Sequence, residues 1–195
     1  MTRDLFAADF QPYPYVREQV QSCRRYLIEY GHLETPEGNS PYTIARLRPF
    51  VCVLAVLPAN GEESARVALA LQYRYANEHW QLELPAGGIE EGESPSEAAV
   101  RELREECGLV PEELVDLGLV YPSAGSTDEV AYLQAIRCAP AVVDTSFDMG
   151  EQVQTVLATR EELEAAMADG RFGQSVGYVA WMRAEARGLL DAWLG

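Results

Sequence analysis

The amino-acid sequence predicts a layered α/β domain. Short apolar runs of strand character alternate with helical segments, and one helix is punctuated clearly at both ends. A chain of 195 residues with 48% hydrophobic side chains is also long and apolar enough to bury one sizeable core.

Taken in order, residues 15–30 place Val16, Val20, Cys23 and Leu27 at spacings of three and four, which predicts a helix. Residues 34–41 carry Thr, Pro, Gly, Asn and Ser and read as a loop. Residues 1–41 are therefore expected to form a partly helical extension, with the main domain at 42–195. Strands are expected at 42–48, 50–57 and 65–75, the last two separated by the turn pair Asn60-Gly61, and at 80–84, where Trp-Gln-Leu-Glu-Leu alternates. Pro85-Ala86-Gly87-Gly88 interrupts the strand pattern. A helix follows, with Ser94 as N-cap, Pro95 at its first position, Glu97 completing a capping box and Gly108 at its end. Further strands are expected at 115–121, 130–136 and 153–158, and helices at 160–167 and 176–194.

Charge narrows the function classes. Fifteen Lys and Arg against thirty-one Asp and Glu give a net charge of −16, which repels nucleic-acid phosphates and anionic membrane surfaces. The longest apolar run, residues 50–57, falls well short of the roughly 20 residues of a membrane span. With no signal-like stretch at its start, the chain reads as cytoplasmic, and its scattered Cys23, Cys52, Cys107 and Cys138 read as free thiols. His32 and His79 are isolated, so a histidine-rich metal site is excluded.

The acidic residues are not evenly spread. Glu102, Glu105 and Glu106 stand at i, i+3 and i+4 on the punctuated helix, within an arc of roughly 100°. Val100, Leu103 and Cys107 form a separate, apolar stripe. Like charges so close repel, and two remedies are available: Arg101, one turn from Glu105, or a hard divalent cation such as Mg²⁺, which prefers clustered carboxylate oxygens. A simple solvated face is the alternative for three glutamates taken alone.

Their surroundings decide between these. Gly87, five residues, Glu93, seven residues and then Arg101-Glu102-Leu103-Arg104-Glu105-Glu106-Cys107-Gly108-Leu109 resemble a complete Nudix box, the signature of the Nudix hydrolases. The resemblance implies an α/β/α sandwich on a mixed sheet, hydrolysis of a nucleoside diphosphate linked to another moiety, and Mg²⁺ or Mn²⁺ as cofactor. It makes Glu102, Glu105 and Glu106 metal ligands with the Ala86 carbonyl, gives Glu105, Glu106 and Arg101 catalytic duties, and makes Glu93 a brace between loop and helix.

Flanking segments resemble the ADP-ribose pyrophosphatase and nucleotide-sugar hydrolase branch of that family. Leu71-Gln72-Tyr73-Arg74-Tyr75, Trp80 to Glu90, and Tyr121-Pro122-Ser123-Ala124-Gly125 carry the likeness, with Ala124 where the branch has a second proline. By that likeness Arg74, Glu83, Gly87 and Gly125 contact substrate, and Glu151, with Asp148 as an alternate, is the general base. Relatives in the branch often pair as homodimers through an N-terminal segment that supplies aromatic residues to the base. Here Tyr13, Tyr15, Tyr26, Tyr30 and Tyr42 offer such surface. The expected substrate is a nucleoside diphosphate sugar, ADP-ribose first, with a GDP- or UDP-linked hexose, or a nucleotide-sensing module without catalysis, as alternatives.

Overall fold

The computed structural model describes residues 12–24, 26–142 and 153–195. They group into two units, one of the described residues up to Leu47 together with Ser123–Asp128, the other of Arg48–Pro122 with the described residues from Glu129 on.

The first unit is a three-stranded antiparallel sheet of β1 (Tyr15–Ser22), β2 (Leu27–Thr35) and β3 (Gly38–Arg46), in that order. The helix expected over 15–30 does not form. Val16, Val20, Ile28, Tyr30 and Ile44 are branched or aromatic and favour a pleated surface, and local spacing cannot register the cross-strand pairing that decides the outcome. Gly31 is part of the reason: a Cβ there would run into the Val16 carbonyl oxygen and the Tyr15 ring, so its absence lets β1 and β2 approach. The loop expected over 34–41 shrinks to a tight turn in which Thr35 pairs with Gly38 and its hydroxyl donates to the Gly38 carbonyl at 2.7 Å. Glu29, buried in this sheet, accepts from Arg46 at 2.7 Å and from Arg17 at 3.1 Å, and these guanidiniums, Arg46 first, hold its carboxyl below the usual range.

The second unit is built on a mixed sheet of β4 (Phe50–Leu57), β5 (Arg66–Arg74), β6 (His79–Glu83), β7 (Ala86–Gly88), β8 (Leu109–Val120), β9 (Ala131–Val142) and β10 (Val153–Ala158). The strand order is β10-β5-β4-β9-β8, with β6 also pairing β5 and β7 also pairing β4. Among the described strands of this sheet, β4 and β9 are the one parallel pair. Residues 51–56 of β4 are buried on both faces, which is why that segment reads as an unbroken apolar run. Helix α1 (Pro95–Cys107) covers one face through Ala98, Ala99 and Leu103, packed on Val51, Val53 and Ile136. Helices α2 (Arg160–Ala168), α3 (Ser175–Ala186) and α4 (Leu189–Leu194) cover the other face, where Leu163, Ala180 and Leu190 meet Leu54, Leu69 and Leu133. This is an α/β/α sandwich. The single helix expected over 176–194 breaks in two at Gly188, whose φ of 71° is left-handed. Among the described residues, no helix is long and apolar enough to cross a membrane.

Candidate functional site

The site grows from the junction between β6 and α1. Helix α1 begins as its capping signals require: the Ser94 hydroxyl accepts from the Glu97 N–H, the Glu97 carboxylate accepts from the Ser94 N–H at 2.9 Å, and Pro95 stands in the first turn. It ends at Gly108, which takes φ 64° and donates its N–H to the Arg104 carbonyl at 2.9 Å. Both ends being fixed, the helix presents its acidic face in one orientation.

Arg101 organises that face. Its Nε and Nη2 grip the two oxygens of Glu93 at 2.9 and 3.0 Å, Nη1 reaches Glu102 at 2.7 Å and Glu105 at 3.0 Å, and Nη2 also donates to the Gly88 carbonyl at 2.8 Å. Five hydrogen bonds use all five guanidinium donors. The Glu93 carboxyl is thereby held below the ordinary glutamate range, first by Arg101 and then by the Glu90 N–H, while Arg101 is held still more firmly protonated, first by Glu93. Loop and helix are thus stitched together by one cation.

Close approach between them depends on glycine. A Cβ on Gly87 would fall on the Glu102 carboxylate, so only glycine leaves that carboxylate room against β7. Glu106, at 7% exposure, turns under the loop and accepts from the Ala86 N–H at 3.3 Å. Further along the same edge, Arg74 and Glu83 form a two-pronged pair, Nε to Oε1 at 2.8 Å and Nη2 to Oε2 at 2.6 Å, with Glu83 buried and Arg74 partly exposed. A groove of about 490 Å³ runs along the outer side of α1 past Val100, Arg101, Arg104, Glu105 and Leu114, a size suited to a small ligand.

Ala86, Gly87, Glu93, Arg101, Glu102, Glu105 and Glu106 therefore meet at one loop and one helix. Arg74 and Glu83 lie on the strand pair leading into that loop. Gly125 belongs to the first unit, where its carbonyl accepts from the Tyr42 hydroxyl at 3.0 Å. Glu151 and Asp148 lie outside the described residues. Two supporting residues were not foreseen. Thr155 on β10 donates from its hydroxyl to the Glu106 carbonyl at 2.8 Å, and Gln174 binds the backbone of Leu84 at 3.1 and 3.2 Å. The only local hint was a polar Gln just ahead of an apolar helix.

Among the described residues no three His, Cys, Asp or Glu converge as a metal-ligand set; Arg101 binds Glu102 and Glu105, and Glu106 bonds the loop. The donor chemistry nonetheless fits a hard divalent cation: three carboxylates on one helix, and a glycine opposite that leaves Glu102 its space. The four cysteines are free thiols, and burial pushes Cys107 and Cys138 up to about 12, which keeps both protonated and inert.

Comparison with known proteins places this geometry. The chain is 31% identical over 118 residues to the ADP-ribose pyrophosphatase of Bacillus subtilis (strain 168), covering 60% of this chain and 61% of that protein. It is 34% identical over 121 residues to the methanol dehydrogenase activator of Bacillus methanolicus, covering 62% and 63%. The match thus spans less than two thirds of the length of either relative. A crystal structure of an ADP compounds hydrolase superposes with a TM-score of 0.74 over 95% of this chain and 98% of that one at 22% identity, a likeness of fold. The NUDIX domain family model matches residues 46–186, which take in the loop, α1 and the whole sheet of the second unit, and the chain belongs to the Nudix family.

Proposed function

We propose that this protein hydrolyses the diphosphate linkage of a nucleoside diphosphate sugar, with ADP-ribose as the leading substrate, yielding AMP and ribose 5-phosphate. The observation that carries it is the clasp of Glu93, Glu102 and Glu105 by Arg101 beside a loop glycine whose missing side chain makes room for Glu102. The likeness to an ADP-ribose pyrophosphatase supports the choice of substrate.

Three carboxylates bind one guanidinium here and Glu106 lies under the adjoining loop, so a diphosphate meets net negative charge unless cations intervene. Glu102, Glu105 and Glu106 with Ala86 would hold Mg²⁺, or Mn²⁺ in its place; bound there, the ion supplies charge neutralisation and a more acidic water. The chain's own residues do the rest. Arg101 keeps Glu102 and Glu105 aimed, while Glu93 and the Gly88 carbonyl hold Arg101 to the loop. Arg74, fixed by Glu83, offers a cation of set direction to a phosphate, and Glu151 takes the proton of the attacking water.

A second reading, an enzyme for a different nucleotide conjugate, is favoured by 33% identity over 112 residues to the CMP-5'-(N-acetyl-N-hydroxy-3-aminopropyl)phosphonate hydrolase of Streptomyces rubellomurinus. Both readings include a homodimer, which light scattering in solution tests. Product identification across ADP-ribose, GDP- and UDP-hexoses with Mg²⁺ separates the two. Monophosphate release fastest from ADP-ribose supports the first, faster release from another sugar nucleotide supports the second, and release from none refutes both.

A further inference from the structure

We infer that Gln174 is a positioning residue for hydrolysis: its carboxamide clamps Leu84 and so sets where the Ala86–Gly87 strand meets the glutamates of α1. The inference rests on the hydrolytic reading of that site. Strand β6 leaves β5 at Glu83, and β7 joins β4 at Ala86. Leu84 stands between them, 1% exposed, with an N–H and a carbonyl that both require partners. Gln174 supplies both: its Oε1 accepts from the Leu84 N–H at 3.1 Å and its Nε2 donates to the Leu84 carbonyl at 3.2 Å.

A carboxamide is chemically a peptide group, and here it takes a strand's place. Two residues earlier on β6, Leu82 pairs in parallel with Phe172, and its carbonyl accepts from the Gly173 N–H at 3.2 Å. Alternate residues turn their polar groups to the same strand edge, so Leu82 and Leu84 are consecutive docking points on one edge. The chain supplies backbone to the first and the Gln174 side chain to the second. From Leu84 the link to the site is short. The Pro85 carbonyl is held by the Val53 N–H at 2.9 Å, Ala86 donates to Glu106, and Gly87 lies against Glu102.

Two independent features mark the clamp as specific. Gln174 occupies the N-cap of α3, yet its side chain makes no cap hydrogen bond, whereas Ser94 and Thr159 cap α1 and α2. A residue poorly suited to capping stands there with its side chain committed elsewhere. Gly177, one turn into α3, is the second feature: a Cβ there would collide with both the Phe172 ring and Gln174 Oε1, so the clamp needs a bare backbone beside it. The Cys52 thiol donates to the same Oε1 at 3.5 Å.

Gln174→Met keeps the side-chain volume and removes both hydrogen bonds. Turnover of ADP-ribose with Mg²⁺ should fall about tenfold in kcat with KM within twofold, and amide exchange at Leu84 and Ala86 should quicken about tenfold while Leu54 and Leu103 keep their protection. Gly177→Ala, which displaces the amide from the other side, should do the same and serves if the first variant does not fold. Exchange at Leu84 and Ala86 within twofold of wild type, or protection lost equally across β4 and α1, overturns the clamp. A wild-type protein inert toward every diphosphate tested refutes the hydrolytic reading instead, and the exchange data still judge whether Gln174 holds Leu84.

Discussion

Changing Gly87 to alanine adds one methyl group where the Glu102 carboxylate already lies. Gly87 is not among the glycines with positive φ, so the alanine backbone itself is unstrained and gains about 0.4–1 kcal/mol from a less flexible unfolded chain. Against this, Glu102 must swing away from Arg101, to which it is bonded at 2.7 Å. A charge-assisted hydrogen bond of that kind contributes about 1.5–3 kcal/mol. The net loss is about 1 kcal/mol, or a fall of roughly 2–4 °C in Tm for a chain of this size. Activity should respond far more, because a displacement of about 1 Å at a reacting centre costs on the order of 100-fold. Thermal unfolding with Mg²⁺-dependent AMP release therefore gives a split result: a protein almost as stable, with kcat reduced about 100-fold or more. Pairing the change with Glu102→Asp, which shortens the displaced side chain, should recover most of the Tm and little of the turnover. A Gly87→Ala protein that keeps a third or more of wild-type kcat refutes the reasoning.

Acid titration tests the Arg101 clasp. Glu93 is held below its ordinary value of about 4.3, so folding binds fewer protons than unfolding there; its contribution to stability is full above that pH and is lost as pH falls through the lower folded value. Glu93→Gln should therefore shallow the acid limb of Tm against pH, and an identical limb contradicts the clasp. Arg160, bonded to Glu164 at 3.1 Å, Glu185 at 3.0 Å and Asp191 at 2.8 Å, ties α2 to α3 and α4. Arg160→Ala should cost about 1 kcal/mol in urea unfolding and leave kcat unchanged, with the difference shrinking at high salt. Glu151→Gln should cut turnover about 100- to 10,000-fold at unchanged Tm, and activity within a few-fold of wild type would move the general base to another residue.

Local chemistry in the chain went far where interactions are short-range. Both ends of α1 follow from Ser94, Pro95, Glu97 and Gly108, and β4 and β10 run at the bounds their apolar patterns imply. Residues 15–30 misled because Val16, Val20, Cys23 and Leu27 satisfy a helical period while the pairing that puts Val16, Val20 and Leu27 in strands comes from residues up to Arg46. Gly188 could not be distinguished from a tolerated helical glycine without its φ. At the site, carboxylate spacing disclosed the acidic face of α1, since i, i+3 and i+4 are local relations. The five-bond geometry of Arg101 and the reach of Gln174 to Leu84, ninety residues away, depend on topology that no window of sequence contains.

The most direct test of hydrolysis at the α1 glutamates is the product profile of ADP-ribose with Mg²⁺, taken for the wild-type protein, for the wild type with chelator and for Glu106→Gln. AMP and ribose 5-phosphate in the first, and loss of turnover by orders of magnitude in the other two, is the predicted result. Undiminished AMP release from Glu106→Gln or in chelator, or no release from the wild type, would contradict it.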